Sequence, residues 1–420
     1  MKKFNLLIVL LMLVILNACK SDDGGNTIDT ESPSSPLNLV VSTVTSDAVT
    51  LSWEASTDNT GVTGYRLFQD GIMILDNISG TNTTVSALCA EKAFAYYVIA
   101  LDAAENESNP SNTVQTTTTA ETPLTFKTLL SEMGVFRGDL KNLDPATDVQ
   151  LYELNSALFT DYAAKQRLIR LPDCAMEFNN SDLLPSFPNN TLIAKTFYYN
   201  NNDQDPGQGK QIIETRILLK VSGNWQVGNY IWDAAQTEAT LQETGSTIPI
   251  SYIDNTGTTQ NIDYMIPSKQ DCFTCHNNSG NTFPIGMKLR SMNFVPSYTS
   301  QNQLDYFTEI GFLMGLENSS SVSVLPDWTN STDFDIFQRG RAYIDINCAH
   351  CHQPGGAVTN FNLDFRLETP YSESGIYANR GEIEARTQSV LPTYRMPQLG
   401  RTIVHDEAVA MLLEYLEAID

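Results

Sequence analysis

Two pentapeptides constrain this 420-residue chain more than anything else in it: Cys272-Phe273-Thr274-Cys275-His276 and Cys348-Ala349-His350-Cys351-His352. Both read C-x-x-C-H, and the spacing has a chemical reason. Two thiols about one helical turn apart can add to the two vinyl groups of one porphyrin. The His that follows then lies under the iron as its proximal ligand. With seven Cys and four His in the chain, chance yields roughly one such motif per thousand shuffled sequences, and two far less often. A structural zinc site wants its cysteine pairs closer together and leaves the repeated His unexplained. A dithiol redox motif usually stands singly on a βαβ frame, and structural disulfides are the third competing reading. The motifs predict two covalently bound haem c groups. Cys272, Cys275 and His276 would hold the first, and Cys348, Cys351 and His352 the second.

The N-terminus supports that chemistry, because c-type haem is attached outside the cytoplasmic membrane. Lys2 and Lys3 precede an unbroken apolar run from Leu6 to Leu16. The run is too short to span a bilayer as a mature helix and suits an export signal. It ends in Leu16-Asn17-Ala18-Cys19, which resembles a lipobox. Residues 1–19 are therefore expected to be a lipoprotein signal peptide, leaving Cys19 as an acylated N-terminus that binds the membrane. Lys20-Ser21-Asp22-Asp23 resembles an acidic tag that directs lipoproteins outward. The expected location is the cell envelope, as an outer-membrane lipoprotein exposed at the surface. Residues 20–36 read as a flexible tether.

Hydrophobic residues make up 41% of the chain and the formal net charge is −24. A buried core is feasible, and the charge argues against a nucleic-acid partner, whose phosphates demand clustered Lys and Arg. It suits an extracytoplasmic surface, and either solubility or a basic redox partner accounts for it.

Residues 37–119 show short alternating strands broken by turns. Val49-Thr50-Leu51-Ser52-Trp53 aims alternate side chains inward. Asp70-Gly71 marks a hairpin turn, and Phe94 to Ala100 is the best strand. Spacing and strand length fit a β-sandwich. The segment resembles a fibronectin type III domain, with Trp53 at the core tryptophan and Leu88, Phe94, Tyr96, Val98, Ala100 and Asp102 repeating that family's two-residue rhythm. The resemblance implies a spacer or adhesion module.

The second motif follows a helix-like stretch, Asp333 to Ile344, which Asp333 is placed to cap. Met396 lies beyond it in Arg395-Met396-Pro397, and a closing helix from Asp406 gathers Ala408, Met411, Leu412, Tyr415 and Leu416 on one face. That order resembles a class I cytochrome c and implies Met396 as sixth ligand of the second iron. The first motif follows an extended segment before Pro267. Met287 is the first choice for its distal ligand, with Met292, Met265, Met314, His405 or an open position as alternatives. His350 reads as packing near the haem edge, His405 as exposed, and Cys89 and Cys174 as separate buried thiols rather than a disulfide.

Residues 124–420 as a whole resemble a family of two-haem c-type cytochromes of bacterial envelopes. The likeness rests on Leu154 to Ala163, Phe187-Pro188, Lys195-Thr196-Phe197, Glu214-Thr215-Arg216, Trp232, Gln236 to Ala239 and Ile266-Pro267-Ser268. It implies a one-electron carrier between envelope redox partners, a dehydrogenase or another cytochrome. A two-haem peroxidase and a surface-binding lipoprotein are the alternatives. The expected fold is multidomain: an all-β fibronectin type III-like sandwich at 37–119, a mixed α/β region at 124–262, a first haem segment at 263–325, and a mainly α, class I cytochrome c-like domain at 333–420.

Overall fold

The computed structural model describes residues 29–419. The expected signal peptide, Cys19 and the first part of the expected tether lie outside the described residues. The chain divides into two units, Met1–Ser86 with Lys92–Thr118, and Ala87–Glu91 with Thr119–Asp420.

The first unit is built from seven antiparallel strands: β1 (Leu37–Val44), β2 (Val49–Glu54), β3 (Val62–Gln69), β4 (Ile72–Ile78), β5 (Asn82–Val85), β6 (Ala93–Asp102) and β7 (Val114–Thr117). They form two sheets, β1-β2-β5 and β4-β3-β6-β7. Alternation explains the sandwich: Val49, Leu51 and Trp53 point inward from β2, and Phe94, Tyr96 and Val98 do so from β6. Gln69 pairs with Ile72, which leaves Asp70 and Gly71 as a two-residue turn. Both residues have positive φ, 50° and 85°, the geometry that favours Asp-Gly in tight hairpins.

The second unit centres on a six-stranded antiparallel sheet of β8 (Gln150–Leu151), β9 (Ala164–Arg170), β11 (Leu192–Asn200), β12 (Lys210–Val221), β13 (Asn224–Trp232) and β14 (Ala239–Gln242), ordered β14-β13-β12-β11-β9-β8. A short strand, β10 (Met176–Glu177), pairs in parallel with Leu313–Met314 outside this sheet. One sheet face, with Leu168, Leu192, Ile217 and Tyr230, packs on Leu130, Val135 and Leu143. The opposite face, with Ile169, Ile193, Leu218 and Val227, packs on Cys272, Met287, Leu289 and Phe307. A hairpin of β15 (Ser246–Ile253) and β16 (Thr259–Ile266) leads into α1 (Lys269–Cys275). Then come α2 (Leu289–Met292), α3 (Gln303–Glu309), α4 (Ile336–Asn347), α5 (Arg380–Thr387) and α6 (Asp406–Ala418).

The expected mainly α cytochrome domain at 333–420 is corrected. The described residues are 31% strand and 18% helix. Helices of 12, 8 and 13 residues stand between long loops, where Pro354-Gly355-Gly356, Pro370 and Pro392 interrupt regular structure. Nor does this segment stand alone. The Asp161 carboxylate accepts hydrogen bonds from the Thr402 and Ile403 amides. Asn347 accepts from the Phe159 amide at 2.8 Å. Buried Asp345 of α4 takes Lys288 at 3.0 Å and Arg290 at 3.1 Å. The α4 cap is Asp335, in a reciprocal capping box with Gln338, rather than Asp333. Cys89 and Cys174, expected as separate thiols, form a disulfide within the second unit with Cα atoms 5.2 Å apart.

Candidate functional site

Each pentapeptide sits on a helix end that its own sequence specifies. Ser268 and Asp271 cap α1 reciprocally, which starts the helix directly after the β16 strand and places Cys272 and Cys275 one turn apart. His276 is the residue that closes α1. The second pentapeptide is the turn that ends α4: the Cys351 and His352 amides both donate to the Cys348 carbonyl. The four cysteines of the two motifs are free thiols.

The two motifs meet. The Cys275 and Cys351 sulfurs and a His350 ring nitrogen all lie within 4.8 Å of one another. The hydrogen bond from Cys275 to Cys351, and then burial, raise the Cys275 thiol; the same hydrogen bond lowers the Cys351 thiol against the effect of burial. Burial pushes the Cys348 thiol up to about 12. Burial also pushes His276 down to about 3 and His352 down to about 4, so both rings are neutral near pH 7, the form that binds metal.

Three cavities adjoin this meeting point, and His350 lines all of them. The largest, about 530 Å³, also touches Phe283, Lys288, Asp345 and Arg366. The second, about 170 Å³, is lined by Cys348, Cys351, His352, Met396 and Pro397. The third, about 50 Å³, is lined by Cys272, Cys275, His276, Lys195 and Arg216. Met396 therefore lies beside the second motif. Met287 is fully buried in the apolar cluster that contains Cys272 and lines none of the three cavities.

The donor set suits haem c. His276 Nδ1 is 2.8 Å from the Phe283 carbonyl; donation there orients the ring and leaves Nε2 as the free donor for a metal. The buried Nδ1 atoms of His350 and His352 have no hydrogen-bond partner among the described residues. Two thiols and one imidazole stand together at each motif.

Two features escaped the sequence reading. His350 sits where both motifs and all three cavities converge. Lys195 and Arg216 reach the first motif from the sheet. His405, expected to be exposed, is half-buried: its ring stacks on Phe159 at 3.9 Å between centroids, and its Nδ1 is 3.0 Å from the Tyr343 hydroxyl.

No family model matches the chain. It is 45% identical over 94 residues to chitinase A1 of Niallia circulans, covering 22% of this chain and 13% of that protein. It is 45% identical over 99 residues to exoglucanase B of Cellulomonas fimi, covering 24% and 9%, and 42% identical over 95 residues to chitinase D of Niallia circulans, covering 23% and 18%. The match thus spans less than a fifth of each of these relatives. A solved fibronectin type III domain from human fibronectin type III domain containing protein 3 is 22% identical, covers 23% of this chain and 94% of that one, and gives a TM-score of 0.20.

The matches support the fibronectin type III reading of the first unit. Membership of the two-haem cytochrome family and the electron-carrier role are corrected: the relatives are named as chitinases and exoglucanases, and none is a cytochrome. The segments that carried the cytochrome likeness have a plainer explanation in the sheet. Thr196 and Thr215 hydrogen-bond side chain to side chain at 2.9 Å, and Trp232 Nε1 donates to Thr215 at 3.0 Å. An extracytoplasmic location stands, and a disulfide between Cys89 and Cys174 belongs to such an oxidising compartment.

Proposed function

We propose that this chain is an extracytoplasmic haem-binding protein of a carbohydrate-degrading setting, in which the fibronectin type III unit is a spacer and the second unit holds the cofactor. The observation that carries the reading is the pair of C-x-x-C-H turns on capped helix ends, with all four thiols free and His276 Nδ1 committed to the Phe283 carbonyl. Cys272, Cys275, Cys348 and Cys351 would form the thioethers, and His276 and His352 would present their second ring nitrogen to iron, with Met396 beside the second motif. When bound, the haem supplies a redox-active iron that no side chain of the chain can replace. The setting follows from the names of the relatives, which are chitinases and exoglucanases. The finer location is an outer-membrane lipoprotein held by acyl chains at Cys19, with the membrane as its partner.

The test is haem staining of the full-length protein on a denaturing gel, after expression in a host that attaches c-type haem. A stained band that survives denaturation is expected, because thioethers persist where a bound but unlinked cofactor is lost. An unstained band overturns the reading.

A further inference from the structure

The register of the central sheet sets three cations side by side. Arg167 of β9 pairs with Lys195 of β11, and Lys195 pairs with Arg216 of β12. Like charges directly opposite one another destabilise a sheet. Lys165 adds a fourth cation opposite Phe197. The Lys165 and Lys195 ammonium groups and the Arg216 guanidinium lie 5.8, 5.2 and 4.3 Å from the centre of that ring.

Little negative charge answers them. Glu214 is fully buried and already shared by Arg216, by Asn229 at 2.7 Å and by the Tyr264 hydroxyl at 2.7 Å. Asp271, the acid facing the row from α1, is committed to the Ser268 cap. Glu153 and Asp161 act on Arg167 and Lys165 only through space. Among the described residues, neither Arg167 nor Lys195 has an ion-pair partner. Burial first, then Arg167 and Arg216, push Lys195 down to about 7. This occurs in a chain with 49 acidic residues against 25 Lys and Arg, where surplus acid is available nearly everywhere else. Unpaired, half-buried charge of this kind costs stability unless an anion completes it.

We propose that Arg167, Lys195 and Arg216 form a receptor for the propionate carboxylates of the haem at the first motif. The proposal rests on the haem reading above. Lys195 and Arg216 line the same cavity as Cys272, Cys275 and His276, so the thiols, the imidazole, unpaired Lys195 and the Glu214-paired Arg216 share one enclosure. Carboxylate paired with guanidinium and ammonium is the charge-assisted contact such a row is built to make.

Lys195→Met, Arg167→Met and the conservative Lys195→Arg test this in the full-length chain, matured with and without haem attachment. In haem-loaded protein, Lys195→Met and Arg167→Met are expected to shift the propionate-bending band in the resonance Raman spectrum and to lower the denaturation midpoint. In haem-free protein the same two changes raise the midpoint, because they relieve like-charge repulsion. Lys195→Arg keeps the wild-type band. A wild-type chain that carries two haems, with an unmoved band in both Met variants or midpoint shifts of the same sign in both forms, overturns this inference alone. A wild-type chain that matures without haem overturns the cofactor reading and this inference with it.

Discussion

The His405 ring lies between four aromatic side chains: stacked on Phe159, with Tyr162 and Trp328 edge-on at 5.6 and 5.1 Å and Tyr343 tilted at 5.7 Å. Burial is the main reason its proton is lost early, at about 4; Lys165 and Arg401 push the same way and Glu407 opposes. In the unfolded chain an imidazole titrates at about 6.5. The folded value is the lower one, so the stability this ring contributes is complete above pH about 6.5 and is lost as pH falls towards about 4. His405→Gln should therefore flatten the fall in stability between those values relative to the parent protein, measured by denaturant unfolding at a series of pH values. An unchanged slope would show that the ring is not held neutral. Nothing about position 405 signals this in the sequence. The four rings around it come from positions 159, 162, 328 and 343, and only the folded chain assembles them.

At the scale of elements, α4 and α6 approach through Gly340. A Cβ there would collide with the Tyr415 ring, so the helices settle on the one side chain that adds nothing. Gly340→Ala gains about 1 kcal/mol of helix propensity and is set against an overpacking cost of about 1–3 kcal/mol. A net loss is expected, and pairing it with Tyr415→Leu should recover most of it in a double-mutant cycle. Additive effects of the two changes would count against the contact. The elements differ in how far their sequences announce them. Residues 49–54 and 93–102 alternate because one face of each strand meets solvent or a neighbouring sheet, and α6 shows its apolar face at helical spacing. The strands Leu192–Asn200 and Lys210–Val221 are covered on both sides, with nearly continuous buried runs, so period two disappears and the six-stranded sheet could not be read from it. The cationic row is hidden for a related reason: Arg167, Lys195 and Arg216 are brought together only by strand register. The two pentapeptides, by contrast, are local, and their C-x-x-C-H spacing is legible in the sequence itself.

At the scale of the whole molecule, a signal-like N-terminus, a sandwich and a unit that carries both C-x-x-C-H turns are joined in one chain. The pairing of Cys89 with Cys174 lies 85 residues apart, and sequence alone gives no rule for such a partner. Closing a loop of that length should contribute about 4.6 kcal/mol by restricting the unfolded chain. Cys174→Ser is expected to lower the stability of the second unit by a large part of that amount, read from chemical denaturation under oxidising conditions. A loss no greater than that produced by adding reductant to the wild type is the matching control. The reading of the second unit stands or falls on its thiols. Intact-mass measurement of the full-length protein, matured in a host with haem-attachment machinery, should give two added haem masses for the wild type, one when Cys348 and Cys351 are both replaced by Ala, and none when Cys272 and Cys275 are replaced as well. A wild-type mass equal to that of the bare polypeptide would contradict it.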